Sequence, residues 1–364
     1  MTNAQRSTAV LLHPTDPRWE EPIRRFQGCP TLAVTRGGRI YLGWYSGGTK
    51  EPHIENYNLL VYSDDQGKTW SKPLLIIPSR EAELVHALDI QLWTDPDGRL
   101  IVFWVQNDVE IAPAEKLDFT GRPGVVVDSY LFRDFRHNAW MMICDDPDAE
   151  EPQFSAPRRF DQGFLRCKPT VLPDGSWLCF NYDQLTDRYG YSVSRDKGET
   201  FTRYYGGKKT DTPFDEAMAY VRQDNSIRML ARTRSTGELA ESISEDGGVT
   251  WTDGAPSGIV SPSTRFFIAR TPTGRILLVH NDHAKSRTNM TVSLSEDDGT
   301  TWKYSRCIDT RASLSYPDAD FFGGRIFLTY DRERTGAMEI LFTVFTEDDV
   351  MRGTIPAPYI ISKP

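Results

Sequence analysis

Six times along the chain a strand-length run of largely apolar residues follows a Gly or Asn set beside a polar residue. The copies read GGRIYLGWYS from Gly37, DGRLIVFWVQ from Asp97, DGSWLCFNYD from Asp174, DNSIRMLART from Asp224, TGRILLVHND from Thr273 and GGRIFLTYDR from Gly323. Gly and Asn tolerate the left-handed backbone of a tight turn, and alternating or wholly apolar runs of this length suit half-buried or buried strands. Each copy therefore predicts a β-hairpin, and six copies predict six sheets arranged as the blades of one all-β propeller.

A second pattern, S-x-D-x-G-x-T-[WF], occurs at Ser63 to Trp70, Ser194 to Phe201, Ser244 to Trp251 and Ser295 to Trp302. Ser194, Ser244 and Ser295 stand 50 and 51 residues apart, the spacing of one blade. Asp and Ser side chains bond nearby backbone N–H groups, Gly supplies the left-handed position, and the closing aromatic can tuck between neighbouring sheets. The pattern reads as a structural turn without a catalytic role. Degenerate versions are expected at Cys144 with Asp146 and at Thr346 with Asp348. The long interval between Ser63 and Cys144 predicts an insertion in blade two near residues 109–125, within a single domain spanning residues 1–364.

Aligning the six hairpins on their turns predicts which residues ring the axis. Before the turn stand Cys29, Asp89, Arg166, Glu216, Arg265 and Ser315, with Gln27, Lys168, Tyr316 and Asp318 close by. After it stand Tyr45, Gln106, Tyr182, Arg232, Asn281 and Asp331, with His280 adjacent. So many charges in a confined space either pair with one another and close the propeller or meet a ligand.

Composition narrows the partners. A formal net charge of −9 argues against a general nucleic-acid binder, which needs a basic face. The five cysteines lack C-x-x-C spacing, and the histidines lack helical zinc spacing, so neither a disulfide framework nor a metal site is expected, and no organic cofactor is implied. No run is long and apolar enough to predict a membrane span, and the N-terminal apolar stretch is too short for a signal sequence. The expectation is a cytoplasmic protein, with a removed leader left open and the oligomeric state unknown.

The repeated turn resembles the Asp-box of the sialidase (neuraminidase) superfamily, and the resemblance covers nearly the whole chain. It implies a glycoside hydrolase that releases a terminal, acidic sugar from a glycan or oligosaccharide, using a Tyr nucleophile, a Glu partner, a carboxyl acid/base and arginines that grip the substrate carboxylate. Carried over by position, the resemblance gives Tyr316 in SLSYPDADF as nucleophile, Glu216 in DEAMAYV as its base, Arg232 and Arg287 as clamp arginines, and Glu51 as acid, with Glu55 and Asp89 as competing choices. Arg166, Arg265, Lys168, Gln27, Arg25, Gln106 and His280 complete the expected substrate-binding set. The family's first arginine is absent: RRFQGCPTL places Gly28 there, with Arg25 or Lys168 as possible substitutes. Two other readings stand beside hydrolysis: a lyase or rhamnosidase-like enzyme at a uronic-acid linkage, with His280, Tyr316 and Lys168 carrying a lyase reaction, and a propeller that binds glycan without turnover.

Overall fold

The computed structural model describes residues 3–6, 8–112, 124–212 and 214–364. Six antiparallel sheets of consecutive strands form a six-bladed β-propeller. From the axis outward, blade one comprises Gln27–Val34, Ile40–Ser46, Tyr57–Ser63 and Leu75–Pro78, with Leu11–Leu12 on its edge. Blade two comprises Val85–Thr94, Leu100–Ile111, Tyr130–Cys144 and Arg158–Gln162. Blade three is Thr170–Val171, Trp177–Cys179, Arg188–Ser194 and Thr202–Lys208, its inner hairpin continued by the pair Phe164–Leu165 and Asn181–Tyr182. Blades four and five start at the axis with Met218–Val221 and Phe267–Arg270, and blade six with Leu314–Phe322.

The S-x-D-x-G-x-T turns form as their chemistry predicts. In blade three the Ser194 hydroxyl donates to Asp196 at 2.9 Å and accepts from the Gly198 N–H at 2.7 Å, while Asp196 also accepts from the Thr200 N–H at 2.8 Å. The closing aromatics bridge blades: Phe201 meets Phe160 of blade two at 4.7 Å between ring centroids, and Trp70 meets Phe342 of blade six edge-on at 5.3 Å. The two degenerate turns differ. Thr346 caps a short helix, Glu347–Arg352, through reciprocal bonds with Asp349, while Asp348 lies on the surface near Arg352. In blade two, Asp148 reaches across to accept from the Gly37 N–H of blade one at 2.9 Å.

Residues 113–123 of the expected insertion lie outside the described residues. On either side of them, Val109–Ile111 and Gly124–Val127 both pair with the first part of Tyr130–Cys144, so blade two projects beyond its neighbours. The loop between Ile40–Ser46 and Tyr57–Ser63 docks on this projection, with Ile54 packed among Val109, Val127 and Phe132.

Among the described residues the ring closes without strand exchange. Carboxylates of blade six accept backbone N–H groups of the first inner strand: Asp331 from Cys29 at 2.7 Å, Asp318 from Leu32 at 2.9 Å and Asp320 from Val34 at 3.0 Å. Gln27, expected at the substrate, is fully buried in this seam, where its amide donates to the Met338 carbonyl at 2.5 Å and accepts from the Trp44 indole at 3.1 Å.

Gly198 has a φ of +89°, and a Cβ there would lie 2.4 Å from the Trp177 ring; Gly175 has a φ of +83° and open space around it. Replacing Gly198 by Ala is expected to cost about 1–3 kcal/mol more than replacing Gly175, because overpacking adds to the same conformational strain. Chemical denaturation of the two variants measures the difference.

Candidate active site

The inner strands do not run smoothly into the axis. Register slips by one residue after Gly28, Leu88 and Ser315, and the residues that follow, Cys29, Asp89 and Tyr316, take left-handed φ angles of 55°, 57° and 55°. Glu216, just ahead of Met218–Val221, has a φ of 40°. The bulges at Asp89 and Tyr316 turn side chains that the pleat would bury between blades toward the axial pocket, and the one at Cys29 sets its thiol 3.6 Å from Arg166 behind the lining.

The pocket is a cavity of about 360 Å³ on the face carrying the loops between second and third strands. Tyr316, Glu216, Asp89 and Arg166 form its base, with Arg232, Arg287 and Arg334 on one side, His86, Asn107 and His137 of blade two opposite, and Glu51 at the rim. The Tyr316 hydroxyl donates to Glu216 Oε1 at 2.5 Å. Arg232 Nη1 donates to Glu216 Oε2 at 2.9 Å and reaches the Tyr316 oxygen at 3.3 Å. Arg166 pairs with Asp89 and stands 3.6 Å from Glu216. Arg334 bonds Glu51 at 2.7 Å and Asp331 at 3.0 Å.

These contacts divide the protons. Burial alone would push the Glu216 carboxyl up, but Arg232, Arg166 and the tyrosine hydroxyl outweigh it and hold it down at about 2, so Glu216 is ionised at neutral pH. Burial raises the Tyr316 phenol above its ordinary range despite Arg166, leaving it protonated beside a carboxylate ready to accept its proton. Asp89 is pushed up to about 7 by burial, against Arg166 and with help from Glu51 and Glu216. Arg287 is shifted downward by burial first and then by Arg334 and Arg232, and among the described residues no carboxylate lies within ion-pair distance of it. Its guanidinium donates to the Ser263 carbonyl at 2.9 Å.

The structure thus gathers Tyr316, Glu216, Glu51, Asp89, Arg232, Arg287 and Arg166 around one cavity and separates the rest of the expected set. Arg265 lies beneath, donating to Gln91 and to the carbonyls of Arg166, Pro30, Tyr316 and Pro317, so it ties blades together instead of facing ligand. Lys168 donates to the carbonyls of Leu32 and Ala319 near Asp318 and Asp320 and lines a different cavity. Gln106 donates to the Ala4 carbonyl, and His280 Nδ1 donates to the Val260 carbonyl at 2.8 Å; neither lines the pocket. Arg25 and Glu55 form a mostly exposed pair bordering an outer groove. The hairpin alignment missed Arg334, His86, His137 and Asn107. Asn56, by contrast, shapes the Glu51 loop: its amide donates to the carbonyls of Ser46, Gly47 and Lys50 while its oxygen accepts from Tyr45 and the His53 N–H.

Cys29, Glu51 and Asp89 offer three atoms within 4.8 Å of one another, a spacing that suits a cation. Arg334 and Arg166 already hold the two carboxylates, however, and their charges oppose a metal ion there.

Comparison with known proteins agrees with this architecture. The sequence profile of the BNR repeat-like domain matches residues 139–321, and a BNR/Asp-box repeat matches residues 61–72. The chain belongs to the BNR repeat-like family. Among solved structures, this BNR propeller is similar to the NanB sialidase of Streptococcus pneumoniae (14% identity, TM-score 0.70, 95% of this chain and 71% of that one). It is similar also to the intramolecular trans-sialidase of Ruminococcus gnavus (16%, 0.66, 89% and 95%) and to a Dyadobacter fermentans protein of unknown function (18%, 0.65, 93% and 98%). At these identities the likeness establishes the sialidase-like fold. No curated protein matches the sequence.

Because the Asp89 carboxyl rises from 3.8 to about 7 on folding, the stability it contributes is complete below its unfolded value and is lost as pH climbs through 7. Asp89→Asn removes that titration. The melting temperature of the variant minus that of the wild-type protein should therefore increase by a few degrees between pH 5.5 and 8.5, read by calorimetry.

Proposed function

We propose that this protein is a glycoside hydrolase that releases a terminal acidic sugar through a tyrosyl–sugar intermediate. The observation that carries the reading is the 2.5 Å bond from the Tyr316 hydroxyl to an ionised Glu216, on the floor of a cavity walled by arginines. A neutral phenol with an adjacent base suits an anionic sugar, because a carboxylate nucleophile would be repelled by the substrate's own charge. Arg287, without a carboxylate partner among the described residues, supports a negatively charged ligand on that wall, with Arg232 and Arg334 beside it.

In the first step the Tyr316 oxygen bonds to the anomeric carbon as the glycosidic C–O bond breaks, and its proton passes to Glu216. The leaving oxygen takes a proton from Asp89 or Glu51, the two carboxyls lining the cavity beyond the couple. Water then attacks the anomeric carbon and gives its proton to the same carboxylate, while the bond from the sugar to the Tyr316 oxygen breaks and the departing phenolate recovers its proton from Glu216. Two displacements return the original anomeric configuration. The lyase reading loses support from the separation of Lys168 and His280 from Tyr316.

A panel of aryl glycosides of sialic acid, KDN, glucuronic acid and rhamnose tests this reading. Release from an acidic member, lowered by at least about 10²-fold in both Glu216→Gln and Tyr316→Phe, is the expected result. Release indifferent to both changes would sink the tyrosine mechanism, and glycan binding without any release would favour a non-catalytic propeller. Between Asp89→Asn and Glu51→Gln, the acid is the one whose loss of rate shrinks as the aglycone becomes a better leaving group, since such a group needs no proton.

A further inference from the structure

Gly28 lies on the first inner strand between Gln27 and the left-handed Cys29, and its own φ is not in the left-handed region. Its backbone conformation is therefore open to any residue. Space is not: a Cβ on Gly28 would lie 2.6, 2.7 and 2.8 Å from Cγ, Cδ and Nε of Arg334. The stem of Arg334 fills the volume that a side chain at position 28 would need.

The loop bearing Arg334, between Arg325–Arg332 and Glu339–Phe345 of blade six, is fastened to this strand. The Gln27 N–H donates to the Arg334 carbonyl at 3.0 Å, and the Gln27 side chain holds the Met338 carbonyl of the same loop. Asp331 then fixes Nε, Glu51 fixes Nη1, and Ser315 lies 3.4 Å from Nη2. Held this way, the guanidinium carbon stands 4.3 Å from the centre of the Tyr316 ring, with that of Arg287 at 5.9 Å from the same ring. A guanidinium has five N–H donors, so these bonds leave Arg334 with donors for a ligand.

We infer that Gly28 and Arg334 are a matched pair: the missing side chain on blade one admits a guanidinium from blade six, which with Arg232 and Arg287 receives the sugar carboxylate. Gly28 is the positioning residue and Arg334 a specificity-determining one. The inference rests on the acidic-sugar reading for its ligand, whereas the pairing itself stands on geometry alone.

Two double-mutant cycles of Gly28→Ala with Arg334→Ala test it, one in melting temperature and one in KM for the acidic aryl glycoside that the wild-type enzyme cleaves. Gly28→Ala should lower the melting temperature by roughly 2–4 °C in the wild-type background and by much less once Arg334 is Ala. It should also raise KM about tenfold or more while kcat changes little, and raise it no further in the Arg334→Ala background. Equal effects of Gly28→Ala in both backgrounds would overturn the pairing. Should Arg334→Ala fold poorly, a crystal structure of Gly28→Ala decides: the guanidinium displaced from Tyr316 supports the pairing, and one still at 4.3 Å overturns it. If Arg232→Ala and Arg287→Ala raise KM and Arg334→Ala does not, Arg334 loses its role and the acidic-sugar reading survives. If none of the three raises KM, or if the enzyme cleaves only neutral glycosides, the acidic-sugar reading falls and the carboxylate role of Arg334 falls with it.

Discussion

The site depends on a constraint that a propeller imposes at its axis, where six inner strands converge and leave little room for side chains from every pleat. Bulges resolve the crowding by turning Cys29, Asp89 and Tyr316 inward, and Glu216 takes a similar left-handed backbone. A non-glycine residue in this region carries a conformational penalty of order 1–3 kcal/mol, so four of them around one pocket need strong compensation. Bonds made by the turned-in side chains and by their backbones provide it. Glu216 receives Tyr316 and Arg232, Asp89 meets Arg166, and the Cys29 N–H is held by Asp331. Without those bonds the same backbone would relax toward an unbroken strand and the pocket would lose its chemistry.

Arg265 supplies the layer beneath. Its guanidinium reaches carbonyls of blades one, three and six and the Gln91 amide of blade two, while its own strand belongs to blade five. Because it holds the Tyr316 carbonyl as well, at 3.4 Å, it locks the backbone of the residue whose hydroxyl faces the cavity. Lys168 plays a similar part further along the axis between blades one and six. Two cations that look like ligand-binding groups in a linear reading are thus engaged by backbone carbonyls, which are costly to leave unpaired in the interior.

The blade count was legible because turn glycines and strand periodicity are local properties, and the six hairpins appear where the repeat places them. The ring of axial positions was legible only in part. Blade one closes its inner hairpin with five residues between Val34 and Ile40, whereas blade six uses only Gly323 and Gly324 between Phe322 and Arg325. Counting back from the turn therefore put Ser315 in the ring and left Tyr316 beside it. Gln106 and His280 were misplaced for a different reason: the strands after the turn alternate faces, and a single count cannot tell the pocket from the space between blades. Gln106 finds its partner, the Ala4 carbonyl, 102 residues away, and His280 finds the Val260 carbonyl at the end of the preceding blade.

Arg334 was out of reach for a deeper reason. Its meaning depends on Gly28, more than three hundred residues earlier, and the two meet only because the last blade closes on the first. In isolation, Gly28 reads as a lost arginine and Arg334 as one more charge in a polar loop. Once the ring is closed, the absence of a side chain at one end and the presence of a long one at the other become a single feature. The same seam makes the feature rigid, since Gln27, Asp331 and Glu51 each hold a different part of the Arg334 segment. A propeller that closes by side-chain to backbone bonds instead of a shared strand leaves its first inner strand free to accept such a guest, so the mode of closure and the composition of the cationic wall are physically linked.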